Sequence, residues 1–449
     1  MKLKTPLYDA IMEYAKKNPT RFHMPGHQGV VLDKLYSSAG ADITRLSVSD
    51  DLLYPKHVIK EAETLAREAY GTTGTLFVTA GATLAVFIAV GTIALKTSAK
   101  KVILNRNSHK SAFSALRLFG LTPCFCNTKS DNNGFVKPAE VHDIETLLNT
   151  QSGIAAVFIT SPDYFGRTAE VEKIANLVHE RGVFLIVDGA HGPHFNFSGL
   201  LPPHSAKYAD VVIDSCHKTM PVYTGGAMVH VNGEELYKIA LLRRVGLHTT
   251  SPQYLTLASL DYARARMMAD GEAVYKNLLN ALKEFNHDIE ADNHYSIDEN
   301  DDFSRLVINC NGFSGSELGD ELEKYGVFIE MSYGSRVICI LSPYNTGALK
   351  VLSNALNKIT LTRQAREIDF PPVNYEEWVD YGVTGNIKFL PLKECEGKIC
   401  GTEIGIYPPG VPAVVRGERI TAGMLNYLTA HQDRLFGLVE SMVCIIEDK

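Results

Sequence analysis

The chain has 449 residues, of which 45% are hydrophobic, so it is long enough to bury a large core in two or three domains. Its 44 lysines and arginines are outweighed by 51 aspartates and glutamates, which gives a formal net charge of −7 at pH 7. Neither sign of charge forms a long run, so the composition excludes a nucleic-acid-binding stripe and a basic membrane anchor. The acidic balance mildly favours a cationic substrate.

The amino-terminal segment MKLKTPLYDAIMEYAKKNPT has no apolar signal-peptide core. The longest apolar stretch, residues 82–95, is shorter than the roughly 20 residues that a membrane-spanning helix needs. We therefore expect a cytoplasmic protein that has no membrane partner. The eight cysteines do not indicate a disulfide framework in so long a chain, and we expect all of them to be reduced, buried and structural.

Apolar strand-like runs alternate with helix-length segments through the first half of the chain. The first run, LFVT, leads through Ala80-Gly81-Ala82-Thr83 into a long apolar segment, which predicts a strand, a tight turn and a helix. The later runs are KKVILN, GIAAVFIT at 153–160, GVFLIVDGAH at 182–191, ADVVIDSCHK at 209–218 and GAMVHV at 226–231. This alternation is typical of a largely parallel sheet that is covered by helices on both faces.

Polar residues follow four of these runs directly. Ligands of such a sheet bind beyond the carboxyl ends of its strands, so these residues are expected to converge on one site. They are Asn107, Ser108 and His109, then Ser161 and Asp163, then Asp188 and His191, and finally Ser215, His217 and Lys218.

A domain boundary is predicted near residue 285, where the polar, acidic segment EFNHDIEADNHYSIDENDD lacks apolar periodicity. Beyond it, FSRLVINC, VFIEMS and SRVICILSP read as strands around the helical segment SGSELGDELEKYG. The prolines of IYPPGVPAVV exclude a helix and indicate an extended segment. We expect an amino-terminal segment over 1–55, a large cofactor-binding domain over 56–285 and a small C-terminal α/β domain or domains over 286–449.

Lys218 is the first candidate for chemistry, although most lysines lie at the surface. It follows a predicted strand, stands beside His217 and precedes Gly225-Gly226. An amine in that setting can be partly desolvated and thereby made nucleophilic. Such a lysine forms an imine with an aldehyde cofactor, and pyridoxal 5'-phosphate (PLP) is the cofactor that this chemistry indicates.

A PLP site makes further demands that the sequence can meet. Asp188, 30 residues before Lys218, could keep the pyridine nitrogen protonated, although a helix cap is an alternative role for it. The turn at Gly81 and Thr83 begins a predicted helix, so its free N–H groups could hold the phosphate. His109 could lie flat on the pyridine ring, or it could be an ordinary histidine at a strand end.

A metal site is a rival interpretation, because Asp188, His191 and His194 are spaced as D-x-x-H-x-x-H and His204 follows nearby. No activating glutamate accompanies these histidines as in an HExxH site, and a metal would leave Lys218 unexplained. We therefore predict no metal.

Nine segments stand out along the chain: RFHMPGHQG, SDDLLYP, NRNSHKS, ITSPDYFG, VDGAHGPHF, DSCHKTMP, TTSPQYLTLASLDYAR, VFIEMSYGSRVICILSPYNTG and IYPPGVPAVVRGERI. In this order they resemble the ornithine/lysine/arginine decarboxylases, and the likeness covers most of the chain. The resemblance implies the α/β fold of the PLP-dependent transferases of the aspartate-aminotransferase type. That fold has a mostly parallel, seven-stranded type of sheet flanked by helices and a smaller C-terminal α/β domain.

The resemblance also assigns roles to residues. It implies that Lys218 carries the cofactor, that Asp188 pairs with the pyridinium nitrogen, that His109 stacks on the ring and that His191 lies near the phenolic oxygen. These four are the predicted catalytic residues. The predicted cofactor contacts are Gly81, Ala82, Thr83, His109, Ser161, Asp188, His191, Ser215, His217 and Lys218, together with Thr250 and Ser251, which would reach a phosphate across a dimer interface.

The reaction that the resemblance implies is decarboxylation of lysine, arginine or ornithine to an amine that feeds polyamine synthesis, with a proton returned to Cα by Lys218 or His191. A carboxylate is expected to bind the distal cation of the substrate, and the candidates are Asp51, Asp163, Glu330 and Glu403. Two alternatives stay open: another reaction at Cα, such as transamination or PLP-dependent oxidation, and a non-catalytic PLP-binding protein.

The chain departs from the family pattern at several positions. The phosphate turn of the family usually reads Asn-Gly-Ser-Thr, whereas this chain has Ala80 and Ala82, so one phosphate hydroxyl is missing. Gln28 replaces a lysine, Leu53-Tyr54 replaces a His-His pair and Asp163 replaces a threonine. The likeness begins almost at residue 1, without the receiver-like domain of the larger members. We therefore expect a homodimer or a modestly higher homo-oligomer, and not a decamer.

Overall fold

A computed structural model describes residues 3–126, 136–290, 294–365, 382, 384–407 and 410–447. A seven-stranded sheet organises the first half of the chain. Its strands are β1 Gly74–Val78, β2 Lys101–Asn105, β3 Thr122–Cys126, β4 Ile154–Thr160, β5 Phe184–Asp188, β6 Val211–Asp214 and β7 Ala227–Val231.

The strand order is β1-β7-β6-β5-β4-β2-β3. The strands from β6 through β5, β4 and β2 to β3 pair in parallel, whereas β7 is antiparallel to both β1 and β6. The largely parallel sheet is therefore confirmed. Each predicted run contains a strand, but β3 was not predicted, because its sequence TPCFC has neither an apolar alternation nor a β-branched run.

Helices cover both faces of this sheet, as the alternating sequence predicts. They are α1 Pro6–Lys16, α2 Val58–Tyr70, α3 Gly81–Lys96, α4 Lys110–Leu118, α5 Val141–Thr150, α6 Val171–His179, α7 Glu234–Leu247 and α8 Tyr254–Glu290. The α3 helix is apolar on nearly every side because it is enclosed between the sheet and the α4 and α7 helices, and Ala85, Ile88 and Ile93 are fully buried. On the opposite face, Ile174 and Val178 of α6 pack on Leu185.

The α8 helix continues past residue 285, where the sequence predicted a domain boundary. It runs for 37 residues and ends at Glu290, so the beginning of the polar segment EFNHDIE is helical. Phe285 and Ile289 are buried one turn apart, and these two side chains extend the apolar stripe of the helix past residue 285. The sequence pattern missed them because charged and polar residues surround both.

A four-stranded antiparallel sheet follows in the order β10-β11-β9-β8. Its strands are β8 Ser296–Ile297, β9 Arg305–Asn309, β10 Met331–Tyr333 and β11 Arg336–Ile340, and its helices are α9 Gly315–Lys324 and α10 Ala348–Leu356. The predicted strand VFIEMS is thus a strand only from Met331 onward. Leu306 and Leu322 share one hydrophobic cluster with Leu7 of α1 and Leu257 of α8, so this sheet packs on the first half of the chain. Three other side chains of its strands form a small cluster of their own: Val307, Met331 and Ile338.

The last part of the described chain has its own core. It contains β12 Ile387–Pro391, β13 Ile399–Cys400, β14 Ile404–Ile406, β15 Val411–Val414, α11 Ala422–Ala430, β16 Leu435–Phe436, β17 Leu438–Val439 and β18 Met442–Ile446. Ile404, Val414 and Met424 are buried in a cluster of their own. The segment IYPPGVPAVV begins at the last residue of β14 and contains all of β15, in line with the extended structure expected of it; Pro408 and Pro409 lie outside the described residues.

Two further expectations can be compared with the described residues. None of their helices is both long and apolar enough to cross a membrane. All eight cysteines are free thiols, but Cys124, Cys339 and Cys444 are only half-buried, so the expectation that every cysteine is buried is wrong for these three.

Candidate active site

The carboxyl edge of the seven-stranded sheet brings an acid and an amine together. Asp188 ends β5 and is 5% exposed, and its Oδ1 accepts a hydrogen bond of 3.2 Å from the backbone N–H of Ala190. Lys218 ends the one-turn helix Cys216–Lys218 that follows β6. Burial raises the pKa of the Asp188 carboxyl, and the positive charge of Lys218 opposes that shift. The pair is the electrostatic centre of the site.

The amine of Lys218 contacts a histidine. Its Nζ lies 3.0 Å from Nε2 of His191. Burial lowers the pKa of the Lys218 amine, while the charge of Asp188 raises it and that of Arg305 lowers it further. The net direction is downward, which increases the neutral, nucleophilic fraction of the amine.

His191 lies between the side chains of Lys218 and Arg305. Its Nδ1 lies 3.1 Å from Nη2 of Arg305, and its ring lies 4.8 Å from the ring of Tyr164. Burial, followed by the charges of Lys218 and Arg305, keeps the pKa of the imidazole well below its usual value. His191 is therefore neutral at physiological pH.

The predicted phosphate turn lies at the amino terminus of α3. Gly81 has a φ of +71°, a backbone conformation that glycine adopts without strain, and its N–H donates 2.8 Å to the carbonyl of Gly225. The N–H groups of Ala82 and Thr83 stand in the first helical turn, where no intrahelical acceptor exists. Ala80, at the N-cap position, has no side chain that could cap them, so these donors and the helix dipole suit an anion.

His109 is the N-cap of α4. Its Nδ1 accepts a 3.2 Å hydrogen bond from the N–H of Ser111 and lies 2.8 Å from the hydroxyl of the same residue. Burial, with smaller effects from Lys218 and Lys110, lowers its pKa to about 4. A ring that is neutral at pH 7 and lies within electrostatic range of Lys218 suits stacking on an aromatic cofactor.

The other predicted cofactor residues fall into two groups. Ser215 and His217 flank the Lys218 turn; Lys218 N–H donates to the carbonyl of Ser215, and Nδ1 of His217 lies 3.1 Å from the carbonyl of Gly226. The Ser161 hydroxyl oxygen accepts from Ala169 N–H. Thr250 and Ser251 are exposed in the turn between α7 and α8, and the described residues of this chain give them no contact with Lys218.

The structure separates the histidines of the rejected metal pattern. His191 faces Lys218 and Arg305, whereas Nε2 of His194 lies 3.2 Å from Asp302 and 3.1 Å from the hydroxyl of Ser304. His204 is one of two histidines that contact the same oxygen of Asp214. Asp188, His191 and His194 thus form no ligand set within the described part of the chain.

Among the described residues, His204, Asp214 and His230 are close enough to suggest a metal, but their hydrogen bonds argue against it. Nδ1 of His204 accepts the N–H of Ala206, so the proton is on Nε2, 3.0 Å from Asp214. Burial opposes ionisation of Asp214, yet His204 and His230 outweigh it and lower its pKa to about 2. The cluster is a carboxylate whose Oδ2 has two histidine partners, one of which has its proton on the nitrogen that a metal would need.

The four candidate carboxylates differ in what already binds them. Asp51 pairs with Arg45 at 2.8 Å, and Glu403 lies 3.3 Å from Arg117. Asp163 pairs with Arg167 at 2.7 Å and also accepts the N–H groups of Phe165 and Arg167. Glu330 is exposed, accepts a short hydrogen bond from the Tyr164 hydroxyl and exerts an electrostatic effect on Lys218.

Sequence reasoning missed Arg305 and Tyr164. Tyr164 lies within the segment ITSPDYFG, so its neighbourhood was singled out although the residue was not. Arg305 begins β9, 114 positions beyond His191 in sequence, and no local pattern connects the two. Only the packing of the small sheet against the large one could reveal it.

These residues fit PLP. Lys218 offers a partly desolvated amine, Asp188 a buried carboxyl, α3 an anion site and His109 a neutral ring. Thr160 and Thr219 have buried hydroxyl oxygens with no hydrogen-bond partner in the described residues, as expected where a polar ligand belongs. The fold and the site define a PLP-dependent enzyme of the aspartate-aminotransferase type.

Comparison with known families gives the finer class. A model described as "Orn/Lys/Arg decarboxylase, major domain" matches residues 5–309, and one described as "Orn/Lys/Arg decarboxylase, C-terminal domain" matches residues 360–435. The chain belongs to the Orn/Lys/Arg decarboxylase family, whose members are PLP-dependent lyases.

Individual relatives agree with this assignment. The chain is similar to an arginine decarboxylase of Bacillus subtilis, with 28% identity over 96% of this chain and 94% of the relative. It is also similar to an arginine decarboxylase of Halalkalibacterium halodurans, with 29% identity over 95% and 93%. The crystal structure of the Francisella novicida lysine decarboxylase LdcF superposes with a TM-score of 0.81 over 99% of this chain and 82% of that one, at 16% identity, and supports the fold.

Proposed function

We propose that this enzyme removes the α-carboxyl group of a basic amino acid at the site centred on Lys218, and that arginine is the first substrate to test. The observation that carries the proposal is the meeting of Lys218, His191 and Asp188 at one sheet edge, with a 3.0 Å contact between the amine and the imidazole. The relatives that align over most of this chain are named arginine decarboxylases, which supports arginine ahead of lysine and ornithine.

PLP supplies an aldehyde that condenses with amines and a ring that withdraws electrons from Cα. The residues of this chain supply the rest. Asp188 holds a proton at the pyridine nitrogen, the first turn of α3 receives the phosphate, and His109 orients the ring. Lys218 is proposed as the proton donor to Cα ahead of His191, because His191 is neutral and its imidazolium is disfavoured by burial and by the Arg305 guanidinium.

Glu330 is proposed to bind the distal cation of the substrate. Of the four candidates it alone has no arginine or lysine partner among the described ion pairs; Asp51, Asp163 and Glu403 each have one. The hydroxyl of Tyr164 orients the Glu330 carboxylate, and the ring of Tyr164 contacts His191. This arrangement would place the distal cation at Glu330 and the reacting carbon near Lys218.

A homodimer is proposed from an exposed apolar segment. Phe22 is 92% exposed and Leu35 is 86% exposed, and Met24, Val31 and Leu32 between them are also exposed. A monomer rarely leaves so many large apolar side chains of one segment in water. Thr250 and Ser251, which contact nothing of the site in this chain, could then serve the site of a second copy.

A cytoplasmic location and a role in polyamine synthesis stay predictions. The eight free thiols support the first of them.

Transamination and oxidation at Cα are the competing reactions, and the products distinguish them. We would incubate the PLP-loaded protein with arginine, lysine and ornithine and identify the products by mass spectrometry. Agmatine, cadaverine or putrescine would establish decarboxylation, whereas keto acids would contradict it.

A further inference from the structure

Arg305 is a buried cation beside the candidate active site. It begins β9, is 1% exposed and has its Nη2 3.1 Å from Nδ1 of His191. Its Nε and Nη1 have no hydrogen-bond partner within the described residues. Burial of a guanidinium whose N–H groups are not all hydrogen-bonded costs free energy. The position of Arg305 therefore suggests a functional role.

The contact with Arg305 decides where His191 carries its proton. A guanidinium remains protonated in proteins and can only donate, so Nδ1 of His191 must be the acceptor. A neutral imidazole with a bare Nδ1 has its hydrogen on Nε2. That nitrogen lies 3.0 Å from Nζ of Lys218, so the imidazole donates and the amine accepts, which requires a neutral amine.

We propose that Arg305 is a positioning residue that holds His191 as the Nε2–H tautomer and directs this hydrogen at the Lys218 amine. The inference rests on the proposed function, since it assigns Arg305 to the same site. Among the described residues Arg305 makes no hydrogen bond to Lys218 or to a predicted cofactor contact other than His191, although its positive charge also lowers the pKa of Lys218.

The surroundings of His191 preserve this tautomer. A second proton on the ring would have to face the Arg305 guanidinium at Nδ1, and burial adds to that cost. The main charged and titratable neighbours of the ring are Lys218, Arg305, His109 and His194, and each of them lowers its pKa. The nearest carboxylates of the site bond or act on other groups: Glu330 accepts from Tyr164, and Asp188 acts on Lys218. The ring should therefore stay a neutral Nε2–H donor across the working pH range.

The direct test is the 15N spectrum of the histidine side chains in the full-length protein labelled with 15N-histidine. A His191→Gln variant identifies the resonances of His191. We expect the wild type to show a bare Nδ1 and a protonated Nε2. A protonated Nδ1 in the wild type would overturn the inference without any variant.

The decisive variant is Arg305→Met, which keeps an unbranched apolar chain and removes the donor. The control is Arg336→Met, which removes another arginine of the same sheet, bonded to Asp298 at 2.6 Å, without touching His191. We expect Arg305→Met to shift His191 towards the Nδ1–H form or a mixture of forms, and Arg336→Met to leave it unchanged. An unchanged tautomer in folded Arg305→Met would contradict the proposal.

A second measurement uses the amine itself. Competitive labelling of Lys218 in the PLP-free protein at a series of pH values, followed by mass spectrometry of its peptide, gives the pKa of this one lysine. Loss of the neighbouring positive charge in Arg305→Met should raise that pKa, whereas Arg336→Met should not change it. An unchanged titration of Lys218 in Arg305→Met would also count against the inference.

These measurements are independent of turnover. If the protein formed no amine product while Arg305→Met still changed the tautomer, the proposed function would fail and the positioning of His191 would stand. If amine formed while the tautomer in Arg305→Met matched the wild type, the positioning role would fail alone. If the proposed function and the positioning role are both correct, kcat of Arg305→Met should fall by roughly tenfold, which is the size of effect seen when the hydrogen-bond partner of a site residue is removed.

Discussion

The side-chain nitrogen of Lys218 lies 3.0 Å from Nε2 of His191, although 27 positions separate the two residues in sequence. The contact arises because the parallel strands β5 and β6 end at the same edge of the sheet, and each is followed by one of these residues.

Replacing Lys218 by alanine should remove the nucleophilic amine and the proton donor together. We expect amine formation to fall by at least about a thousandfold, because both steps need the same nitrogen. The fold should persist, since the side chain makes one hydrogen bond, to His191. The control is Lys238→Ala, which changes an exposed lysine of α7. Turnover close to that of the wild type in Lys218→Ala would refute the assignment.

Replacing Glu330 by glutamine should weaken substrate binding more than chemistry. A charge-assisted hydrogen bond to the distal cation contributes about 1.5–3 kcal/mol, so KM for arginine should rise by about tenfold or more, with a smaller change in kcat. Glu323→Gln, on the exposed face of α9, is the control. Equal KM values for Glu330→Gln and the control would mean that another group binds the distal cation.

Gly410, in the C-terminal part of the chain, lies against the ring of His109, which is predicted to stack on PLP. Gly410 has a φ of +83°, and a Cβ at this position would come within 3.0 Å of Cδ2 of His109. Gly410→Ala should therefore displace His109 and lower kcat, as well as strain the backbone. Gly397→Ala is the matched control, because Gly397 has a φ of +72° but no atom within 4 Å of its Cβ position. Equal kcat for the two variants would show that the contact with His109 does not matter.

Acid should destabilise the protein through His109. Its folded pKa of about 4 lies below the unfolded value of about 6.5, so between these pH values the unfolded chain binds more protons. Stability from this group is therefore complete above pH 6.5 and is lost as the pH falls towards 4. Between pH 7 and pH 5 we expect a loss of about 1–2 kcal/mol, reduced from the full shift because the ring is only half-buried.

The measurement is the midpoint of thermal unfolding at pH 7 and at pH 5, for wild type and for His109→Gln, both without cofactor. The variant lacks this titration, so its midpoint should fall less than that of the wild type. A decrease of the same size in both proteins would show that His109 does not titrate below its usual range.

Local pattern was sufficient for much of the fold and for part of the site. The apolar runs located β2, β4, β5, β6 and β7, because strands that are buried on both faces are apolar along their whole length. Polar residues directly after these strands located Asp188, His191 and Lys218, because parallel strands end at one edge. The strand β3 was missed because its sequence is not a continuous apolar run. The last turns of α8 were missed because they bury only Phe285 and Ile289 among polar neighbours.

The rest of the site depends on contacts that no local pattern records. The sequence could not decide which of four carboxylates binds the distal cation of the substrate. Their partners in the structure distinguish them, because Asp163 is ion-paired with Arg167, whereas Glu330 accepts a hydrogen bond from Tyr164. Arg305 reaches His191 because a strand of the small sheet packs against the loop after β5. Such contacts are consequences of tertiary packing between segments more than a hundred residues apart.

The most direct test of the account is to locate the lysine that binds PLP. The protein would be loaded with PLP, reduced with borohydride, digested and examined by mass spectrometry. The account predicts that the mass of the reduced cofactor is found on the peptide that contains Lys218 and on no other lysine. Attachment to a different lysine, or none despite the visible absorbance of bound PLP, would contradict the site described for this enzyme.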